Sequence, residues 1–204
     1  MVLPEIKHAD EAEGVESEVI RDWRIDYKDM LDMQYVYYIM REWFIDNGYV
    51  SRNDADFPET NLTVRVNPQM GTEMWIQWRF KKEVEPKKIA LWRFDIAIDW
   101  HFLGLKDVDI VVKGKKVKAQ KGQLELFGKS SLMFDAKKAF SRSDLFKSHK
   151  EWLFRKWYKK ERSKMKIMLA EESERLQDAM KQYLKLTTYQ PEEEISFWDQ
   201  KPGS

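Results

Sequence analysis

The sequence predicts an α+β fold: an N-terminal amphipathic helix packed on an antiparallel meander sheet of five or six strands, followed by a long C-terminal helix. Three observations predict it. Apolar residues recur at helical spacing between residues 30 and 44, and the period changes to two from residue 62 onward. The block from residue 143 to 186 contains neither glycine nor proline, as expected of a helix.

The chain is predicted to begin with a mobile acidic arm, residues 1–25, which shows no clear periodicity. Asp26 can cap the helix that follows, and Asp29 would lie in its first turn. At the other end, Asn47 and Gly48 can adopt the left-handed backbone conformation that ends a helix. The apolar stripe of this helix consists of Met30, Met33, Val36, Tyr37, Met40, Trp43 and Phe44.

The sheet is predicted from alternation of apolar and polar residues, which is clearest between residues 92 and 102. Earlier strands are expected near residues 62–66 and 74–80, and later ones at 108–113, 116–120 and 123–134. Short turns join all of them, so the sheet should be an antiparallel meander with one buried face. Helix and sheet together are predicted to form a domain over residues 26–142.

The last structured block is predicted to be one long helix over residues 143–186, followed by an acidic tail at 187–204. A continuous helix of this length would extend ~65 Å, whereas the expected radius of gyration is about 17 Å. The helix should therefore bend near Ser163, or project and pair with a second copy in a homodimer. A helix folded back across the sheet is the alternative.

Charge is strongly segregated although the net charge is only +1. Residues 1–60 hold 15 acids and 6 bases, whereas residues 106–166 hold 19 bases and 7 acids. Such segregation predicts a charged surface region that could attract an oppositely charged partner. The alternative is that the acidic and basic blocks neutralise each other within the fold or across a dimer.

The basic block predicts a nucleic-acid interface, because a phosphate backbone needs several convergent cations. Aromatic residues among these cations could stack on unpaired bases, although Trp152 and Trp157 are expected to face the core. The alternatives are a solvated face, or a surface that binds an acidic protein or the chain's own acidic arm, residues 1–25. The candidate residues are Lys113, Lys115, Lys116, Lys118 and Lys121 in a hairpin, and Arg155, Lys156, Lys159, Lys160, Arg162, Lys164 and Lys166 on the helix.

A second candidate site is the polar side of the strand at residues 92–102, where Asp95, Asp99 and His101 project together. Two carboxylates and an imidazole could hold a metal or perform acid–base catalysis. Arg79 and Arg93 are nearby salt partners, so a cross-strand ion ladder is the favoured interpretation.

The sequence predicts no enzyme, metal or cofactor. The chain has no cysteine, which excludes thiol catalysis and Cys-ligated metals, and it lacks a nucleophile elbow and a phosphate-binding glycine loop. No apolar stretch approaches the roughly 20 residues of a membrane span, and the N-terminus does not resemble a signal peptide. We therefore expect a cytoplasmic protein that does not enter a membrane.

Motifs spread over about half of the chain resemble a small family of uncharacterised archaeal proteins. They are WFIDNGY at 43–49, WIQW at 75–78, FDI at 94–96, LKDVDIVV at 105–112, KGKKV at 113–117 and GQLEL at 122–126. None is a catalytic signature. The resemblance implies a helix-then-meander fold and an archaeal origin, and it implies no functional residues.

The favoured hypothesis is a non-catalytic accessory protein that binds folded RNA, with the ribosome as its site. The rival is a protein–protein adaptor or dimeric scaffold that uses the acidic arm and the aromatic pair Phe197–Trp198 of the tail. An enzyme centred on Asp95, Asp99 and His101 is the second rival.

Overall fold

The computed structural model of the chain describes residues 17–53, 57–84, 92–112, 115–134 and 158–187, together with Trp152 and Lys156. Five strands form one antiparallel sheet in the order β1-β5-β4-β3-β2. The predicted α+β class is confirmed, with five strands in the sheet. The elements are β1 Ser17–Leu31, α1 Met33–Asp46, β2 Glu59–Asn67, β3 Gly71–Glu83, β4 Trp92–Val112, β5 Lys115–Phe134 and α2 Lys159–Thr187.

Both helices lie on the same face of the sheet. Phe44 of α1 stacks on Phe80 of β3, with 3.6 Å between ring centroids. Ser130 of β5 donates a hydrogen bond to Ser173 of α2 at 2.9 Å. Phe80 and Ser130 flank Ile96 of β4 in register, so their side chains share one face. The core lies between this face and the helices.

The first strand corrects the predicted extent of the acidic arm. Residues 17–25 belong to β1, which pairs along its length with β5. Trp23 and Ile25 are buried, while Arg24 and Asp26 are exposed. This period-two pattern is the signal that the acidic composition obscured. Residues 1–16 lie outside the described part of the chain.

Helix α1 begins later than predicted, because Asp26 is a strand residue. Asp32 is the N-cap, and its side chain accepts a 3.0 Å hydrogen bond from the backbone of Tyr35. The predicted end is confirmed: Gly48 adopts φ +72°, and the Tyr49 amide donates to the Phe44 carbonyl at 2.9 Å.

Two long strands replace four predicted ones: β4 joins those predicted at 92–102 and 108–113, and β5 joins those predicted at 116–120 and 123–134. Strand β4 continues through Gly104, where φ is +61° and the register with β5 shifts. Strand β5 continues through Gly122, where a Cβ would lie only 2.8 Å from Leu105 Cδ2. Both glycines accommodate an irregularity within a continuous hairpin instead of ending a strand.

The apolar stripe of α2 packs on the chain's own sheet. Its members are buried: Met165, Leu169, Leu176, Met180 and Leu184. The helix continues through Ser163, whose hydroxyl donates to the Lys159 carbonyl at 3.0 Å. Of the predicted helix before Lys159, only Trp152, Lys156 and Tyr158 belong to the described residues. The predicted tail after Thr187 lies outside them. Neither of the two described helices combines the length and the apolar composition that a membrane span requires.

Candidate nucleic-acid interface

The hairpin of β4 and β5 projects beyond the rest of the sheet. The register of β3 with β4 ends at the pair Thr72–Leu105, and that of β1 with β5 ends at Leu31–Gln120. Beyond these pairs, residues 106–112 of β4 pair only with β5 among the described strands. We define residues 106–121 as the hairpin arm; residues 106–112 and 115–119 project beyond β1, while Gln120 and Lys121 at its base still pair with β1. Of the predicted basic hairpin, Lys115, Lys116 and Lys118 therefore lie in the projecting part and Lys121 lies at its base.

The hairpin arm carries a dense positive charge. It contains six lysines and two aspartates, a local balance of +4. Lys121 is exposed, and Lys106 reaches the Gln69 carbonyl at 3.3 Å with its ammonium group. Lys113 lies outside the described residues, and only the backbone is described for Lys115, Lys116 and Lys118. Lys106 was not among the predicted residues, although it pairs with Lys121 and so lies in the same arm.

The second predicted segment forms a basic surface at the start of α2. Lys156, Lys159, Lys160 and Lys164 are all exposed. Trp152 was expected to face the core, but 49% of it is exposed, and the Lys156 ammonium lies 5.4 Å from its ring centroid. We call Trp152, Lys156, Lys159, Lys160 and Lys164 the helix surface. Arg155 and Trp157 lie outside the described residues.

Two of the predicted cations on α2 are engaged by an acid of the same chain. Both Arg162 and Lys166 donate hydrogen bonds to the carboxylate of Glu18 on β1. Partial burial alone would raise the pKa of Glu18, but the hydrogen bonds from Lys166 and Arg162 outweigh it and hold that pKa below its ordinary value. These ion pairs join β1 to α2 and leave the two cations less available to a phosphate.

The two basic surfaces lie at opposite ends of β5. Tyr158, just before α2, contacts Phe134 at the last residue of β5, with 6.0 Å between ring centroids. The hairpin arm contains the first residues of the same strand. At about 3.3 Å per residue, this 20-residue strand has a contour length of roughly 65 Å. The fold therefore separates the two basic segments.

Two of the three candidate residues for metal binding or acid–base chemistry, Asp95 and Asp99, are held in ion pairs. Arg79 Nη1 donates to Asp99 Oδ1 at 2.5 Å, and the Arg93 guanidinium binds both oxygens of the buried Asp95 at 2.6 and 2.7 Å. The predicted cross-strand pairing is confirmed for Arg79 of β3 with Asp99 of β4, whereas Arg93 and Asp95 pair within β4. In the part of the chain that the structure describes, no group of three acidic, histidine or cysteine side chains could hold a metal ion.

His101 has different partners from those predicted. Its Nε2 lies 3.0 Å from Glu73 and its Nδ1 lies 3.3 Å from Glu125, so it bridges β3 and β5 through two carboxylates. The indole of Trp75 stacks on the imidazole at 4.9 Å, and the ring is almost fully buried. The imidazole is thus a structural link across the sheet.

Comparisons with known proteins add no candidate residue to these surfaces. No protein-family model matches the chain, and no curated protein matches it.

Proposed function

We propose that this protein is a non-catalytic accessory protein that binds the phosphate backbone of a folded RNA with its hairpin arm. The observation that carries the proposal is the arm itself, a two-stranded hairpin that holds six lysines and two aspartates over its projecting part and its base. Each phosphate neutralised by a lysine releases counterions, so a dense local charge favours a polyanion. A narrow projection also suits RNA, which proteins recognise largely by shape and backbone contacts.

The helix surface supports a second contact. Trp152 is half exposed beside Lys156, and further exposed lysines follow along α2. An exposed indole among cations can stack on an unpaired base. Because the two basic surfaces lie at opposite ends of β5, a single RNA that contacts both must be large. Ribosomal RNA is the RNA of this kind that we propose, with the cytoplasm of an archaeal cell as the location.

The pairing of Glu18 with Arg162 and Lys166 refines the interface. Docking of an acidic segment of the same chain was one alternative for the basic block, and Glu18 belongs to that segment. We therefore exclude Arg162 and Lys166 from the proposed contacts and add Lys106 to them. Asp95 and Asp99 are ion-paired and His101 bridges two carboxylates, so we propose no catalytic role for them.

The adaptor hypothesis stays a prediction. Residues 1–16 of the acidic arm and the aromatic pair of the tail lie outside the described residues. Deleting both ends separates the two ideas, because RNA affinity should survive the deletion whereas adaptor function should be lost.

The test is a binding titration of the full chain with fluorescently labelled ribosomal RNA at low and physiological salt. For a duplex-like backbone, the logarithm of the binding constant should fall with the logarithm of salt with a slope of about 0.9 per neutralised phosphate. A variant with Lys113, Lys115, Lys116 and Lys118 changed to Gln should bind more weakly and show a shallower slope. Affinity that is absent, or independent of salt, would contradict the proposal.

A matched control removes the same number of charges from the other basic surface. Lys156, Lys159, Lys160 and Lys164 are exposed, so their replacement by Gln changes the net charge equally without disturbing the core. We expect this variant to lose less affinity than the arm variant. A larger loss in the helix variant would move the principal contact from the hairpin arm to the helix surface.

A further inference from the structure

The outer edge of β2 is an exposed strand with an apolar face. All residues from 60 to 67 are exposed, and among the described strands β2 pairs only with β3. Leu62, Val64 and Val66 are 55%, 49% and 71% exposed. Leu62 and Val64 pair with Ile76 and Met74, so they lie on the helix-bearing face but beyond the part that the helices cover. Such an edge presents unpaired backbone groups beside apolar side chains.

The two edges of the sheet differ in how they are protected. At the opposite edge, every second residue of β1 from 22 to 28 is charged and exposed, namely Asp22, Arg24, Asp26 and Lys28. Charged side chains of this kind prevent pairing with another chain. Between residues 61 and 67, β2 contains no proline and no lysine, and Arg65 is its only charge. Among the described residues, one edge is therefore protected and the other is open to pairing.

The β2 sequence is complementary to itself in one antiparallel register. A two-fold axis through Val64 places Val64 opposite its own copy and Leu62 opposite Val66 of the second copy. On the opposite face of the paired strands, Thr63 of one copy lies opposite Arg65 of the other. Apolar residues meet apolar residues, and no like charges are opposed. An axis through Arg65 would instead oppose two guanidinium groups, and an axis through Thr63 would leave Val66 opposite Thr60.

We propose that β2 pairs with β2 of a second copy of this chain about a two-fold axis at Val64. The dimer has one continuous sheet of ten strands, five from each copy. This interface differs from the predicted dimerisation through the long helix, whose apolar stripe packs on the chain's own sheet. The interface is isologous, as in most homodimers. It does not depend on RNA binding.

The first experiment measures the mass of the full chain in solution over a range of concentrations, by sedimentation velocity. We expect a monomer–dimer equilibrium that shifts to monomer on dilution. Val64→Lys should weaken dimerisation at least tenfold, because two ammonium groups would then face each other across the axis. Val19→Lys is the matched control, since Val19 lies on the opposite edge and is 48% exposed. It should dimerise like the wild type.

The second experiment tests the register and does not require the lysine variant to fold. The chain has no cysteine, so a single introduced thiol can form a disulfide only between two copies. Directly opposed residues of an antiparallel pair have Cα atoms about 4.5–5.5 Å apart, within the range for a disulfide. Val64→Cys should therefore crosslink on mild oxidation at least tenfold faster than Val66→Cys.

Three results would overturn the proposal. They are a monomeric wild type at all concentrations, a Val64→Lys variant that dimerises as tightly as the Val19→Lys control, and equal crosslinking rates at positions 64 and 66. The first would leave β2 at most a site for another protein, and the second would assign the dimer to a different surface.

Discussion

Tyr49 donates a 2.6 Å hydrogen bond from its hydroxyl to Glu172 Oε2, joining the end of α1 to the middle of α2. Burial, together with the charge of Glu172, raises the pKa of Tyr49, so the hydroxyl keeps its proton at neutral pH. Lys82 of β3 donates to the other carboxylate oxygen at 2.8 Å. A buried acid thus ties both helices to the sheet.

Replacing Tyr49 with Phe should lower the free energy of unfolding by about 1.5–3 kcal/mol, the usual worth of a hydrogen bond to a charged group. The aromatic packing against Phe44 and Phe80 is retained, so the loss reports on the hydroxyl. Urea unfolding measures the change. The exposed Tyr38 provides the control, and Tyr38→Phe should change stability by less than about 0.5 kcal/mol. Equal effects of the two variants would contradict a role for the bond.

Gly128 of β5 makes room for the indole of Trp23 on the neighbouring strand. A Cβ at this position would lie 2.2 Å from Trp23 Cε2, and the two residues are paired in register. Gly128→Ala should therefore destabilise the fold by about 1–3 kcal/mol, as expected of overpacking in a core. In a Trp23→Leu background the same change should cost less. Thermal unfolding of the four proteins measures the coupling, and strict additivity would show that the glycine is needed for another reason.

The sequence allowed prediction of the elements whose patterns were long and regular. The alternation at residues 92–102 and the helical stripe ending at Phe44 both correspond to observed elements. The first strand was missed because its buried residues alternate with charges that resemble those of a solvated arm. The predicted breaks between residues 102 and 108 and between 120 and 123 fall at Gly104 and Gly122, because a sequence cannot distinguish a glycine in a turn from one at a bulge.

The candidate site was predictable in composition but not in arrangement. Charge segregation identified the lysines of the hairpin arm and of the helix surface. Whether these lysines converge depends on the course of β5, and whether they are free depends on contacts between residues distant in sequence. Glu18 and Arg162, for example, are 144 positions apart. Pairing over such a separation leaves no periodic signal in the sequence.

The pairing of Glu18 with Arg162 and Lys166 predicts a dependence of stability on pH. The folded-state pKa of Glu18 is lowered, so its contribution is complete above the ordinary value for glutamate and is lost as pH falls through the folded-state value. About a third of this side chain is exposed, so solvent screening limits the contribution to about 0.5–1 kcal/mol. Glu18→Gln should lower stability at pH 7 by that amount.

The difference between the wild type and Glu18→Gln should shrink as pH falls below about 4.5, the ordinary value for this group. Chemical unfolding at pH 7 and at progressively lower pH measures it. Replacing Asp22, an exposed acid on the same strand, with Asn controls for general effects of charge. A deficit in Glu18→Gln that stays constant with pH would show that the ion pairs do not contribute through the charge of Glu18.

Arg93 and Asp95 predict a larger effect than any surface pair, because Asp95 is fully buried and the guanidinium binds both of its oxygens. Arg93→Met removes this charge and should lower the free energy of unfolding by roughly 3 kcal/mol, the lower end of the range for breaking a buried ion pair. Arg52→Met is the control, since Arg52 pairs with Asp46 where both side chains are exposed, and this change should cost much less. The combined variant Arg93→Met with Asp95→Leu should recover part of the loss, because it removes the uncompensated carboxylate as well. If Arg93→Met were no more costly than Arg52→Met, the pair of Arg93 with Asp95 would not stabilise the sheet.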